Sequence, residues 1–310
     1  MEGSQGVKKF ICWCLRTRNP KKRFLVRFFL KYRISKEFYK EMGYKLDLQN
    51  PETLNEKLQW FKMYVRDPMI TLCADKYAVR KYVREKIGES HLVPLYGVYS
   101  SIQAIKLDSL PEQFVLKPNH ESGRVIICKD KNKMNWIKEA DKMNNWLHEN
   151  YYYWTAEWGY KNISPKIICE KLLSGEIIDY KFFCFKGMPV LAQINQKKDD
   201  GCSYRSGFFD LSFQQLSSVK KINWRNLIEK EPFQKPNQWE DMIKLARILS
   251  ADFPFVRVDL YDLNGHIYFG ELTFTPENGM GRDYPAGWDE KMGELFDLSA
   301  FNPKYVIQKS

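Results

Sequence analysis

Residues 255 to 274 read Phe-Val-Arg-Val-Asp-Leu-Tyr-Asp-Leu, then Asn-Gly, then His-Ile-Tyr-Phe-Gly-Glu-Leu-Thr-Phe, and no other stretch leaves the chain less freedom. Apolar and polar residues alternate on both sides of Asn264-Gly265, a dipeptide that accepts the paired positive φ angles of a two-residue turn, so the segment predicts a β-hairpin. Alternation puts Arg257, Asp259 and Tyr261 on one face, and Glu271 with Thr273 on one face of the return strand. Val256, Val258, Leu260, Phe269 and Leu272 would bury the other side. Two carboxylates thereby converge on one point.

Oxygen ligands on rigid neighbouring strands suit magnesium, which takes one or two carboxylates and completes its shell with phosphate oxygens and water. Arg257 would neutralise such phosphates. The same pattern also fits a surface ladder of opposite charges, which contributes little to stability. The hairpin alone leaves both readings open.

Strands are predicted at about 166 to 173, 178 to 186, 189 to 196 and 204 to 210, with Lys186-Gly187 as a hairpin turn and a helix near 238 to 250 before the final hairpin. These imply an antiparallel sheet. Upstream, β-rich runs at 91 to 99, 114 to 118 and 124 to 128 precede a helix near 134 to 149. Thr53 and Glu56 have the spacing of a capping box, and a second amphipathic helix is predicted over 71 to 87, carrying Asp75, Lys76 and Arg80 and stopped by Gly88. The aromatic segment from Tyr151 to Tyr160 fits either core or a sugar-stacking surface.

Lys117 ends an apolar strand and is followed by a small-residue loop, Asn119-His-Glu-Ser-Gly123, able to wrap a phosphate with backbone N–H groups. Motifs for P-loop, Rossmann and protein-kinase sites are all missing from the sequence. Glu170 interrupts the apolar strand Ile167-Ile-Cys-Glu-Lys-Leu-Leu173, and a strand end of this kind offers an adenine an apolar slot with a backbone donor and acceptor, from Glu170 and Leu172. Asp179 would reach ribose and Lys181 phosphate; each of these residues also has an ordinary surface reading.

Charge is distributed unevenly. Residues 1 to 40 hold twelve Lys and Arg against Glu2 and Glu37, so +10 of the formal +11 lies there, interleaved with Phe10, Trp13, Phe24, Leu25, Phe28, Phe29 and Leu30. A helix packing one apolar face on the body of the protein accounts for this arm, and contact with an anionic membrane surface is the alternative. Basic residues confined to one arm argue against a nucleic-acid partner. With no apolar run of about 20 residues and no signal-peptide pattern, the expected location is cytoplasmic, peripheral at the inner membrane face if the arm binds lipid. Seven scattered cysteines read as reduced structural thiols.

The order of these pieces resembles the ATP-grasp superfamily. More closely, Thr53-Leu-Asn-Glu-Lys-Leu-Gln-Trp60, Ala74-Asp-Lys-Tyr-Ala-Val-Arg80, residues 114 to 123, Asp179-Tyr-Lys-Phe-Phe183, Val256-Arg-Val-Asp-Leu-Tyr261 and Gly270-Glu-Leu-Thr-Phe-Thr-Pro276 are similar to the TupA-like ATP-grasp family, implicated in cell-surface polysaccharide and teichuronopeptide biosynthesis. The similarity covers about residues 45 to 300. It implies an α+β ATP-grasp fold that holds the nucleotide between a small α+β lid and a larger antiparallel-sheet lobe, behind a basic helical N-terminal arm. The corresponding divisions are 1–48 for the arm, 49–112 for a helical and β segment, 113–173 for the lid and 174–310 for the lobe with the metal site.

The resemblance further implies that Lys76 and Lys117 contact ATP phosphates, that His120, Glu121, Ser122 and Gly123 close over them, and that Glu170, Lys171 and Leu172 line the adenine hinge. Asp259 and Glu271 would hold one or two magnesium ions with Thr273, which stands where most ATP-grasp enzymes have Asn. Glu121 departs from the Gly common in such loops. Lys76, Lys117 and Arg257 would act in catalysis and Arg205 at the acceptor; the glycine-rich stretch from Asn278 to Asp283, with Arg282, reads either as a pocket for the acceptor carboxylate or as an ordinary surface loop. The implied activity is an ATP-dependent carboxylate–amine ligase forming an acylphosphate, with a uronic acid of a surface-polysaccharide precursor and an amine as substrates. A glycosyltransferase or a kinase acting on such a precursor is the alternative, and the chain has no D-x-D motif for the former.

Overall fold

The computed structural model describes residues 20–175, 177–197, 204–217 and 232–307. Helix α1 (Pro20–Met42) buries Leu30, Ile34 and Phe38, spaced one turn apart, against the body of the protein. Helix α2 (Leu54–Tyr64) begins with the expected capping box: Thr53 Oγ1 accepts from the Glu56 N–H at 3.2 Å, and Glu56 Oε2 accepts from the Thr53 N–H at 3.2 Å.

The helix expected over 71 to 87 is two helices, α3 (Pro68–Ala74) and α4 (Val79–Ile87). Asp75 breaks it. Its Oδ1 accepts from the N–H groups of Tyr77 (2.8 Å) and Ala78 (3.2 Å) and from Asn119 Nδ2 (2.9 Å), offering the backbone partners that compete with a continuous helix. Lys76 therefore stands in a turn between helices.

A four-stranded antiparallel sheet in the order β1-β4-β2-β3 is built from β1 (Leu95–Tyr99), β2 (Phe114–Pro118), β3 (Ile126–Cys128) and β4 (Ile167–Lys171). Helix α5 (Trp136–His148) adds Met143 to a small core of Leu110, Phe114, Leu116, Ile126, Cys128, Ile167 and Cys169. Alternation along β2 turns Phe114 and Leu116 into this core and Val115 and Lys117 to the other side. Glu170, opposite Val115, shares that second side. The short helix α6 (Tyr152–Thr155) lies in the aromatic segment, where Tyr152 is buried against Tyr153 and Trp158 while Trp154 is exposed.

The larger sheet is also antiparallel, in the order β10-β9-β5-β6-β7-β8, from β5 (Ile178–Phe185), β6 (Met188–Lys197), β7 (Tyr204–Phe209), β8 (Gln215–Leu216), β9 (Phe255–Leu263) and β10 (His266–Thr273). Its two sequence-predicted turns adopt paired positive φ angles, 47° and 76° at Lys186 and Gly187, and 53° and 83° at Asn264 and Gly265. Helix α7 (Trp239–Ser250) covers one face through Trp239, Met242, Ala246 and Leu249.

Helix α8 (Trp288–Leu295) lies against the start of α2. A Cβ at Gly293 would fall 2.0 Å from the Glu52 carbonyl oxygen, so only glycine permits this approach. Asp289 fixes the contact, accepting from the Asn55 N–H at 3.0 Å and from Asn55 Nδ2 at 2.9 Å. The described cysteines 73, 128, 169 and 184 are free and buried, whereas Cys12, Cys14 and Cys202 lie outside the described residues. Among the described residues, no helix is long and apolar enough to cross a membrane.

Candidate active site

One irregularity arranges the site. Along β9 and β10 the pairing runs Tyr268 with Tyr261 and Phe269 with Leu260, then shifts so that Glu271 meets Asp259 and Thr273 meets Arg257, leaving Gly270 as the extra residue of a bulge. Strict alternation would put Phe269, Glu271 and Thr273 on one face. With the bulge, Phe269 and Leu272 both point into the core, and Glu271 and Thr273 join Arg257 and Asp259 on the opposite face. A Cβ at residue 270 would lie 3.0 Å from the Asp259 carbonyl oxygen and 3.1 Å from the Tyr261 ring, so the bulge is built around the missing side chain.

On that face the charged groups form one network. Arg257 grips Asp259 with two bonds, Nε to Oδ1 and Nη2 to Oδ2, both 2.7 Å. Its Nη2 also donates to Thr273 Oγ1 (3.2 Å) and lies 3.6 Å from Glu271 Oε1, while the Thr273 hydroxyl donates to Glu271 Oε1 at 3.0 Å. From the adjoining strand β5, Lys181 Nζ is 2.6 Å from both Asp259 Oδ2 and Asp179 Oδ2. Burial opposes ionisation of Asp259, yet Arg257 and Lys181 outweigh it and hold the carboxyl below the usual range. Burial raises Asp179, whose Oδ1 has no partner.

The smaller sheet presents a second cluster. Glu170, buried, has Oε2 2.6 Å from Lys117 Nζ and accepts from Arg80 Nη1 at 3.0 Å, and Arg80 also donates to the Val93 carbonyl at 2.9 Å. Lys171 is exposed and its N–H donates to the Pro94 carbonyl at 2.9 Å, while Leu172 is half-buried. Asn119 clamps the turn holding Lys76: besides bonding Asp75, it donates to the Ser164 carbonyl (3.1 Å), accepts from the Lys166 N–H (2.7 Å), and its own carbonyl accepts from the Lys76 N–H (3.0 Å). The Lys76 ammonium donates to the Glu121 carbonyl oxygen.

The loop after β2 is divided in its orientation. His120 turns inward, its Nε2 3.1 Å from the Trp146 carbonyl oxygen, and burial lowers its pKa. The Glu121 carboxyl is also buried, with Oε2 3.2 Å from Arg124 and Oε1 unpartnered, and burial pushes it from an ordinary 4.5 up to about 7. Ser122 and Gly123 form the exposed tip, with φ of 80° at Gly123.

The two clusters influence each other electrostatically. Burial lowers the pKa of Lys76, against the fields of Glu271 on β10 and Glu121, while Lys117 on β2 lowers it further. Tyr261 is raised by burial and by Asp179, Glu271 and Asp259 from one sheet, with Glu170 from the other. Groups from three separate parts of the chain therefore lie within electrostatic reach of one another.

The three expected acceptor residues are not gathered into this network. Arg205 donates through Nε to Gln196 Oε1 at 3.0 Å and stacks on Phe233, and Arg282 lies 3.5 Å from Glu41 of α1. Asn278 follows the end of β10 by five residues. It sits in a turn where Glu277, Asn278 and Gly279 all have positive φ, and the buried Lys62 ammonium holds it by its side chain (2.7 Å) and carbonyl (3.1 Å). The partners of Asn119, Arg80 and Lys62 escaped sequence reasoning because they lie far away in the chain.

Asp259, Glu271 and the Thr273 hydroxyl put oxygen donors of the kind magnesium takes on one face, with both Asp259 oxygens held by Arg257 and Lys181. Glu271 is about a third exposed and accessible, Asp259 is ionised by its surroundings, and among the described residues no group of three His, Cys, Asp or Glu stands ready as a complete metal cage.

Among solved structures, D-alanine–D-alanine ligase from Bacillus anthracis complexed with ATP is similar at 17% identity over 72% of this chain and 63% of that one, with a TM-score of 0.42. L-amino acid ligase from Bacillus licheniformis is similar at 13% identity over 80% and 55%, TM-score 0.42. ATP-grasp ligase PsnB in complex with a precursor variant, Mg and ADP is similar at 10% over 76% and 58%, TM-score 0.38. The chain thus spans less than two thirds of the length of each of these three proteins. No match was found among curated proteins. A family model described as TupA-like ATPgrasp matches residues 56–297, and the chain belongs to that family.

Proposed function

We propose that this protein is an ATP-dependent carboxylate–amine ligase. A substrate carboxylate oxygen attacks the γ-phosphorus of ATP, the bond to the β,γ-bridging oxygen breaks, and an acylphosphate and ADP form. An amine nitrogen then attacks the acyl carbon, loses a proton, and expels phosphate to leave an amide. No protein nucleophile is needed, so the residues act by positioning and by neutralising charge.

The single observation that carries this reading is the meeting of Lys76, the Lys117–Glu170 pair and the Arg257–Asp259–Glu271 network in one electrostatic neighbourhood. Lys76 and Lys117 take the phosphates, with the loop of His120, Glu121, Ser122 and Gly123 offering backbone over them. Glu170, Lys171 and Leu172 line the adenine, and Asp179 and Lys181 reach ribose and phosphate. Arg257 meets charge developing on the transferring phosphoryl group. Asp259 and Glu271 hold magnesium, and Thr273, bonded to both Arg257 and Glu271, orients them. Magnesium, when bound, would supply positive charge that neutralises the phosphates.

We take 113–173 as the lid and 174–310 as the lobe; the pairing of β1 with β4 joins β1 to the lid's sheet. For the acceptor we propose a uronic acid or similar carboxylate of a surface-polysaccharide precursor, joined to an amino acid or other amine, with Asn278, Arg205 and Arg282 on its side of the site. Purified protein given ATP and magnesium is expected to release phosphate only when both a uronic acid and an amine are present, and Asp259→Asn to lower that rate at least a thousandfold. ADP formed with a hydroxyl acceptor and no amine would make the protein a kinase instead.

A further inference from the structure

Helix α1 has two faces that differ in what they meet. Leu30, Ile34 and Phe38 are buried, whereas Phe28, Tyr32 and Tyr39 are 62%, 63% and 56% exposed. At 3.6 residues per turn, positions 28, 32 and 39 fall along one stripe on the side opposite the buried triplet. Lys31 and Lys36, both exposed, flank this stripe. Arg33 does not join it, donating instead to the Tyr153 carbonyl at 2.8 Å.

Three large aromatic side chains left in water on one side of residues 28–39 mark a surface that meets something. Charge selects the occupant. The stripe belongs to the forty-residue stretch that carries +10 of the protein's +11, so a second copy docked here would bring the same sign of charge against it. An anionic lipid surface brings the opposite sign, and tyrosine and phenylalanine rings suit the boundary between headgroups and acyl chains.

We infer that the outward face of α1, Phe28, Tyr32 and Tyr39 with Lys31 and Lys36, docks this protein on an anionic membrane surface. The inference does not rest on the ligase reading, since none of these residues belongs to the nucleotide site.

The test is co-sedimentation of the full-length protein with phosphatidylglycerol-containing and with pure phosphatidylcholine vesicles, at low and high salt. The expected result is binding to the anionic vesicles, release by salt, and roughly tenfold weaker partitioning for the triple variant Phe28→Ser, Tyr32→Ser, Tyr39→Ser and for the pair Lys31→Glu, Lys36→Glu. Each variant should keep the wild-type melting temperature and its shift with ATP, which separates this test from that of the ligase. Equal binding to both vesicle types would overturn the inference, as would a triple variant that partitions like wild type. A dimer seen by light scattering and lost in the triple variant would assign the face to a second copy instead.

Discussion

At Asp259 a buried charge is compensated by its neighbours. Its carboxylate is buried, and it stays ionised only because Arg257 and Lys181 surround it, so removing its charge leaves two cations facing each other in a poorly hydrated place. Glu121 is the reverse case, a buried carboxyl whose ionised form the fold disfavours. Because its folded pKa is raised from 4.5 to about 7, the stability it contributes is fully present below pH 4.5 and is lost as pH rises through 7. Glu121→Gln is therefore expected to flatten the stability profile between those values and to gain roughly 1–3 kcal/mol over wild type at pH 8, measured by urea denaturation. An unchanged slope would mean that Arg124 already compensates the charge.

Among elements, the β9–β10 hairpin matters most, and its bulge matters more than its turn. Asn264-Gly265 sets the reversal, but Gly270 decides which residues of β10 look at the site. Gly270→Val would push against the Asp259 carbonyl and the Tyr261 ring, at an expected cost of about 1–3 kcal/mol. Calorimetric titration should show Mg·ATP binding at least tenfold weaker, because Glu271 and Thr273 lose their alignment with Asp259 and Arg257. Wild-type affinity in this variant would show that the bulge does not position the proposed metal ligands. The break between α3 and α4 is a comparable device, since it frees Lys76 from a helix surface and hands its position to Asn119.

At the scale of the molecule, the two sheets have separate hydrophobic cores, a small one under β2 and α5 and a large one between the second sheet, α7 and the N-terminal helices. A nucleotide touching Lys117 on one side and Asp259 on the other would tie these bodies together. Saturating ATP with magnesium is expected to slow amide hydrogen exchange in residues 114 to 128 and in β9–β10 together, and to stabilise the protein by about 2.7 kcal/mol at a hundredfold excess over Kd. Protection confined to one sheet would contradict a site shared between them.

Some elements follow from local causes alone. Alternation, two turn dipeptides and the Thr53–Glu56 box dictate strands, hairpins and a helix start from neighbouring residues, and the sheet-forming lobe was legible for that reason. The candidate site was half legible: the charged residues could be named, and the pairing of Arg257 with Asp259 follows from two-residue spacing on one strand. Tertiary structure alone decided the rest. That Glu170 is shared by Arg80 and Lys117, that Asn119 steadies Lys76, and that Arg282 pairs with Glu41 depend on contacts between residues tens to hundreds of positions apart. Even the bulge at Gly270 depends on the strand it faces. Hydrogen-bond and charge partners are chosen by proximity in space, and local periodicity carries no record of that choice.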